Sequence, residues 1–200
     1  LANSLDTQKI LLRELHHRVK NNLQFIVSLY RLRLKKHLDD KGKTILSEAE
    51  QNIRSIGKIH EILYNRQSIE TLDSKGYFED LARELRRGYK TENIEIVVVG
   101  DLELDVDRAI YCGIIVNELV TNSIKHAFGE SKGGTIVISA QRVDDINRLT
   151  VSDSGAGYDK GQVARSFGLN LVERLAVDEL KGTITVNTQK GVSSVIEWHR

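Results

Sequence analysis

The chain has 200 residues, room for one large domain or two small ones. A hydrophobic share of 40% and a charged share of 28% exclude a disordered chain, and a net charge of +1 removes the basic excess that a nucleic-acid binder needs. No apolar run is long enough to span a bilayer, and the single cysteine, Cys112, excludes an internal disulfide and points to the reducing cytoplasm.

The first 66 residues read as two long helices. Leu12, His16, Val19, Leu23, Ile26 and Tyr30 recur at alternating steps of four and three, which puts them on one stripe of a helix. Gly42, after Asp39 and Asp40, marks a turn. Leu46, Ala49, Ile53, Ile56, His60 and Leu63 then repeat the stripe. Two such helices form an antiparallel hairpin, which buries only one seam and is completed most simply by pairing with a second copy into a four-helix bundle.

At about 100° per residue, His16 falls inside the apolar stripe and His17 turns out of it, towards Arg13, Lys20, Asn21 and Gln24. A solvent-facing imidazole is substantially neutral near pH 7 and can act as a nucleophile. Glu14, one turn earlier, can hold one ring N–H and leave the other nitrogen free. A solvated helix face that happens to contain a histidine is the plain alternative.

The texture changes near Ser68. Phe78, Leu81, Ala82 and Leu85 predict a shorter helix, and Ile94 to Val99 a mostly buried strand. Residues 105–128 predict a long apolar helix. Thr135–Gln141 and Arg148–Ser152 read as strands joined by a turn at Asp144–Asn147. Phe167–Leu180 reads as a helix, and Thr183–Asn187 with Ser194–Trp198 as a closing hairpin around Lys190–Gly191. Helices mixed with largely antiparallel strands give an α+β chain: a helical hairpin over residues 1–67, then an α/β sandwich over residues 68–200, one sheet with helices on one face.

Three stretches of the second part carry chemistry. On the long helix, Glu118, Thr121, Asn122 and Lys125 stack at i, i+3, i+4 and i+7 as one polar line. A carboxylate, a carboxamide and an ammonium together suit a magnesium–triphosphate group, unless the line is simply an exposed face. Asp153-Ser154-Gly155-Ala156-Gly157 follows a strand, where the carboxylate can accept from an exocyclic amine such as that of adenine and the glycines let a base approach the backbone. Taken alone, it is also an ordinary turn. Ser166-Phe167-Gly168-Leu169-Asn170 opens a helix whose first N–H groups can receive phosphate oxygens.

In this order and within about 60 residues, the three resemble the N, G1 and G2 boxes of the Bergerat-type (GHKL) ATP-binding fold shared by histidine kinases and gyrase. The upstream His16-His17-Arg18-Val19-Lys20-Asn21-Asn22 resembles the phosphoacceptor and dimerisation helix of bacterial sensor histidine kinases of the HWE-like class. The resemblance covers residues from about 8 to 198. It implies an ATP-dependent protein histidine kinase of two-component signalling: His17 takes the γ-phosphoryl of ATP and passes it to an aspartate on a response-regulator receiver domain. It further implies that Asn122 binds Mg²⁺ with Asn117 and Glu118 beside it, and that Lys125 and His126 approach the phosphates. Asp153 would read adenine, Gly155, Gly157, Gly168 and Leu169 would shape the pocket, and Thr183 would sit near adenine through water. A homodimer through the hairpin is implied, and so is an N-terminal sensor domain missing from a chain that opens on Leu1 and holds neither Pro nor Met.

Departures from the family pattern are Tyr111 and Gly129 near places where proline is usual, a short stretch from Tyr158 to Phe167 where an ATP lid belongs, and Lys181-Gly182 in place of Gly-Gly. The competing reading is a histidine phosphotransfer relay protein with a degenerate nucleotide domain. Retention of Glu118, Asn122, Asp153 and the glycines speaks against it.

Overall fold

The computed structural model describes residues 25, 28–29, 39–64, 72–89, 93–128, 133–157 and 167–200. The chain divides into two compact units, Leu1–Gln67 and Ser68–Arg200. The architecture is mixed α+β, with N-terminal helix followed by a sheet-based unit.

In the first unit, Phe25, Ser28 and Leu29 are helical and exposed, and α1 runs Asp40–Tyr64. Gly42 does not make a turn. It lies in the first turn of α1, where its N–H donates to Asp39 Oδ1 at 2.8 Å while the N–H of Lys43 donates to the Asp39 carbonyl at 3.0 Å. Asp39 is thus the N-cap, and the Asp that seemed to announce a turn announces a helix. Toward the end of α1, burial centres on Ile59 and Leu63. Ile53 and Ile56 are only half-buried.

The second unit begins with β1 (Leu72–Asp73) and α2 (Ser74–Tyr89), continues through β2 (Ile94–Val99) and β3 (Glu103–Leu104), and reaches the long helix α3 (Val106–His126). Two-residue β1 and β3 pair antiparallel, Leu72 opposite Leu104, a clasp too short to show in the sequence pattern. Ser74 closes it, accepting from the N–H of Leu102 at 2.8 Å. The hairpin β4 (Gly134–Val143) and β5 (Ile146–Asp153) follows, then α4 (Phe167–Arg174), β6 (Thr183–Asn187) and β7 (Ser193–His199).

The main sheet has the order β2-β4-β5-β7-β6. All neighbours are antiparallel except β2 and β4, which run parallel. The β4–β5 turn is tighter than the sequence suggests. Val143 pairs with Ile146, so the loop is Asp144–Asp145, and Asp144 adopts the left-handed backbone that Asp tolerates. The helix after Phe167 closes in a π-helical turn over Leu175–Glu179, where the N–H of Leu180 reaches the carbonyl of Leu175 at 2.9 Å.

Alternation decides the core. Ile136, Ile138 and Ala140 of β4, Leu149 and Val151 of β5, and Ile196 and Trp198 of β7 are buried at every second position. On the helices, Tyr77, Phe78 and Leu81 of α2, Val172 of α4, Ala176 of the π-helical turn, and Ala109, Ile115, Val116 and Val120 of α3 complete it. Residues 112–120 of α3 are buried without a break, because the helix is apolar nearly all round. Burial pushes the Cys112 thiol far above its ordinary range, with the Asp105 carboxylate adding and Arg108 opposing.

Candidate functional site

The polar line of α3 is not an exposed face. Asn117 and Glu118 (6% exposed) are buried, Asn122 is half-buried, and Lys125 and His126 are exposed. The line therefore runs from the interior out to solvent along one helix. Asn117 Nδ2 donates to Glu118 Oε1 at 3.4 Å. Asn122 Nδ2 is buried and has no hydrogen-bond partner among the described residues. An orphaned amide in such a place is costly unless a ligand meets it. Lys125 places its ammonium 5.9 Å from the centre of the Tyr89 ring, a cation–π distance, so its resting position is against α2.

Asp153 ends β5 on the face that carries Leu149 and Val151, and is 7% exposed. Oδ2 accepts from Ser123 Oγ at 2.7 Å. Oδ1 accepts from the N–H of Gly155 at 3.0 Å and of Val192 at 3.1 Å. The Asp153 N–H in turn donates to the Val192 carbonyl at 2.9 Å. Three separate segments thus hold one carboxylate: α3, the turn after β5 and the turn before β7.

The glycines account for how closely these segments approach. Gly155 sits against Ala127 at the end of α3, where a Cβ would come within 2.6 Å of the Ala127 Cβ. Gly191 takes a φ of +76°, and a Cβ there would run into the Asp153 carbonyl oxygen. Gly157, with a φ of +70°, faces the Thr188 carbonyl in the same way. The turn is stitched further by Ser154, whose N–H donates to the Thr135 carbonyl at 3.0 Å while Ser154 Oγ accepts from the Thr135 N–H at 2.9 Å. Gly168 is buried and Leu169 half-buried in the first turn of α4.

The structure brings together Asn117, Glu118 and Asn122 on α3, and joins α3 to the Asp153–Gly157 turn through Ser123 and Ala127. It does not bring Thr183 to that place. Thr183 is exposed at the start of β6, opposite Glu197, whereas the Asp153 end of the sheet lies level with Ser193 and Asn187. The separation along the strands is about five residues, on the order of 16 Å, because β6 runs antiparallel to β7 and only its far end reaches the site. Ser194, buried and paired with Val151, is one of the hydroxyl residues nearer the Asp153 end. His17 and Glu14 lie outside the described residues, as does the stretch 158–166.

Sequence reasoning missed Ser123 and Val192. Ser123 had a signal, since it lies beside Asn122 on a helix otherwise filled by apolar residues. Val192 acts through its backbone and leaves no signal in its side chain.

Residues 14–89 match a family model described as histidine kinase. Residues 109–199 match one described as histidine kinase-, DNA gyrase B-, and HSP90-like ATPase. The sensor histidine kinase PdtaS of Mycobacterium tuberculosis is 33% identical over 180 residues, which are 86% of this chain and 36% of that protein. Blue-light-activated histidine kinase 2 of Erythrobacter litoralis is 26% identical over 166 residues, 78% of this chain and 45% of that protein. The chain thus spans about a third to a half of these curated relatives. Among solved structures, a blue-light activated histidine kinase of Erythrobacter litoralis superposes with a TM-score of 0.68 at 23% identity, covering 94% of this chain and 62% of that one, a likeness of fold.

Proposed function

We propose, on the premise that this chain belongs to the sensor histidine kinases of the HWE-like class with a GHKL-type ATP-binding domain, that it phosphorylates itself on His17 from ATP and passes the phosphoryl group to an aspartate of a response-regulator receiver domain. The observation that carries the nucleotide half is Asp153: a buried strand-end carboxylate held by three neutral donors, with acceptor capacity left over, beside a helix whose polar line leads out to solvent. Such a group suits an exocyclic amine.

The residues on α3 fit a metal-bound triphosphate. The buried Nδ2 of Asn122, without a partner among the described residues, suits a phosphate oxygen, and its carboxamide oxygen is the hard ligand that Mg²⁺ prefers. Asn122 would hold the ion, with Glu118 and Asn117 beside it, and Lys125 and His126 at the open end would meet the phosphates. When bound, Mg²⁺ offsets charge on the transferring phosphoryl group. Gly155 and Gly157 let the strand-end turn close against Ala127 and Thr188 and so would shape the pocket, with Gly168 and Leu169 in the first turn of α4.

The protein's own part in the reaction is positioning. Glu14, three residues before His17, would hold one ring N–H and leave the other nitrogen's lone pair to attack. That nitrogen bonds to the γ-phosphorus, the bond from phosphorus to the β,γ-bridging oxygen breaks, and ADP leaves. The product N–P bond is labile, which suits a relay. We place the phosphoacceptor and dimerisation hairpin at residues 1–67 and the catalytic unit at residues 68–200, in a cytoplasmic homodimer. Among the described residues no helix is long and apolar enough to cross a membrane.

The test is incubation with γ-labelled Mg-ATP. Acid-labile, alkali-stable label on the wild type, lost in His17→Ala and largely kept in His16→Ala, is the expected outcome. Label that survives His17→Ala overturns the acceptor. Absence of label overturns the kinase, and absence of ATP binding along with it favours the relay reading. A chase with a receiver domain tests the second transfer.

A further inference from the structure

An ionised carboxylate offers about four lone-pair sites. The N–H groups of Gly155 and Val192 occupy Oδ1 of Asp153, and Ser123 Oγ–H occupies one site of Oδ2. Among the described residues, one Oδ2 site is left. Ser123 is itself buried, and its 2.7 Å contact is the short, charge-assisted kind.

We propose that Ser123 is a positioning residue for base selection: by holding one side of Oδ2 it leaves Asp153 a single outward acceptor, matched to an exocyclic amine and mismatched to a carbonyl oxygen. The inference rests on reading Asp153 as the group that meets the base, and deepens that reading. The physical reason lies in the χ2 torsion of Asp, which is broad and roughly two-fold. Two backbone donors converge on one oxygen and leave the other free to swing. A third donor, from a different element, removes that freedom. Without it, Oδ2 has two open sites at a buried position, and water or rotation fills the spare one. An amine then no longer meets one fixed partner.

A bond that only ties α3 to the sheet would have a different signature. The readout is therefore a ratio: affinity of the full chain for Mg-ATP over that for the Mg-complex of purine riboside triphosphate, which keeps ribose and phosphates but lacks the 6-amino group. The ratio in Ser123→Ala is expected to fall roughly tenfold, the effect of one hydrogen bond to a charged group. Ser123→Thr, which keeps the hydroxyl, is expected to restore most of it. In an Asp153→Asn background, Ser123→Ala is expected to change the ratio no further. Ser123→Cys, nearly isosteric with a weak donor, carries the same expectation as Ser123→Ala should the alanine variant fold poorly.

An unchanged ratio in the alanine and cysteine variants overturns the proposal. So does equal weakening of both nucleotides together with a lower unfolding temperature, which is the fold-tying outcome. A ratio that still drops in the Asp153→Asn background overturns the route through Asp153. A wild type that prefers ATP, with a ratio unmoved by Ser123→Ala, sinks this inference alone. A wild type with no preference for the amine sinks the reading of Asp153 and this inference with it.

Discussion

Two carboxylates on neighbouring strands of the same sheet have opposite fates. Glu197 of β7 sits directly across from Arg148 of β5, with Arg148 Nη2 at 2.7 Å and Nε at 2.8 Å from the same oxygen, both side chains about a third exposed. Asp153, five residues on from Arg148, is buried and among the described residues meets neutral donors alone: a hydroxyl and two backbone N–H groups. The arginine offsets the charge of Glu197. Neutral donors orient Asp153 without cancelling its charge, so its remaining lone pair stays a strong acceptor. On the proposed reading, what Asp153 is denied, a cation, matters as much as what it is given.

The sharpest way to break this contrast is Asp153→Asn. The amide oxygen can still accept from Gly155 and Val192, so the fold is expected to survive, but the ligand-facing acceptor becomes a donor. ATP affinity should drop roughly 10- to 100-fold by calorimetry, and an unchanged affinity would mean that the strand end does not read the base. Gly191→Ala attacks the frame around the same carboxylate. Its left-handed backbone and the approach of the Asp153 carbonyl should cost about 2 kcal/mol in denaturant unfolding and weaken ATP binding in parallel.

Cys112 probes the interior between the two ends. Its thiol keeps a proton in the folded state that the unfolded chain loses above its ordinary value of 9.0. The folded pKa is raised, so the stability is fully present below pH 9 and is lost as pH climbs, by about 1.4 kcal/mol per pH unit. Cys112→Ala should flatten that loss between about pH 9 and 10, before tyrosines titrate. Arg148→Ala is the smallest effect. A partly exposed pair is worth about 0.2–1 kcal/mol, and ATP affinity should not move. A large loss of binding in that variant would erase the distinction between the two ends.

Much of the fold was legible. The alternation in β4, β5 and β7 and the unbroken apolar texture of α3 follow from residue periodicities, and the structure puts those residues inside. Gly42 misled because Asp-Asp followed by a nearby Gly reads as a turn, whereas the same Asp is a good N-cap and a glycine in the first helical turn is tolerated. The Asp153–Gly157 turn stood out in the sequence as a carboxylate with glycines after a strand. Its partners were not. Ser123 lies 30 residues before it and Val192 39 residues after it, and no local pattern links them. Thr183 failed for the mirror-image reason: it is the right residue type at the wrong end of an antiparallel strand.

The sequence by itself determined the long helices and the strands of the main sheet, and which residue types stand at strand ends and on helix faces, because both depend on periods of two and about 3.6 residues within one segment. Only the tertiary structure decided which carboxylate keeps an open acceptor and which is cancelled by arginine. That outcome depends on strand register and on where α3 crosses the sheet. Both are set by packing between segments far apart in the chain.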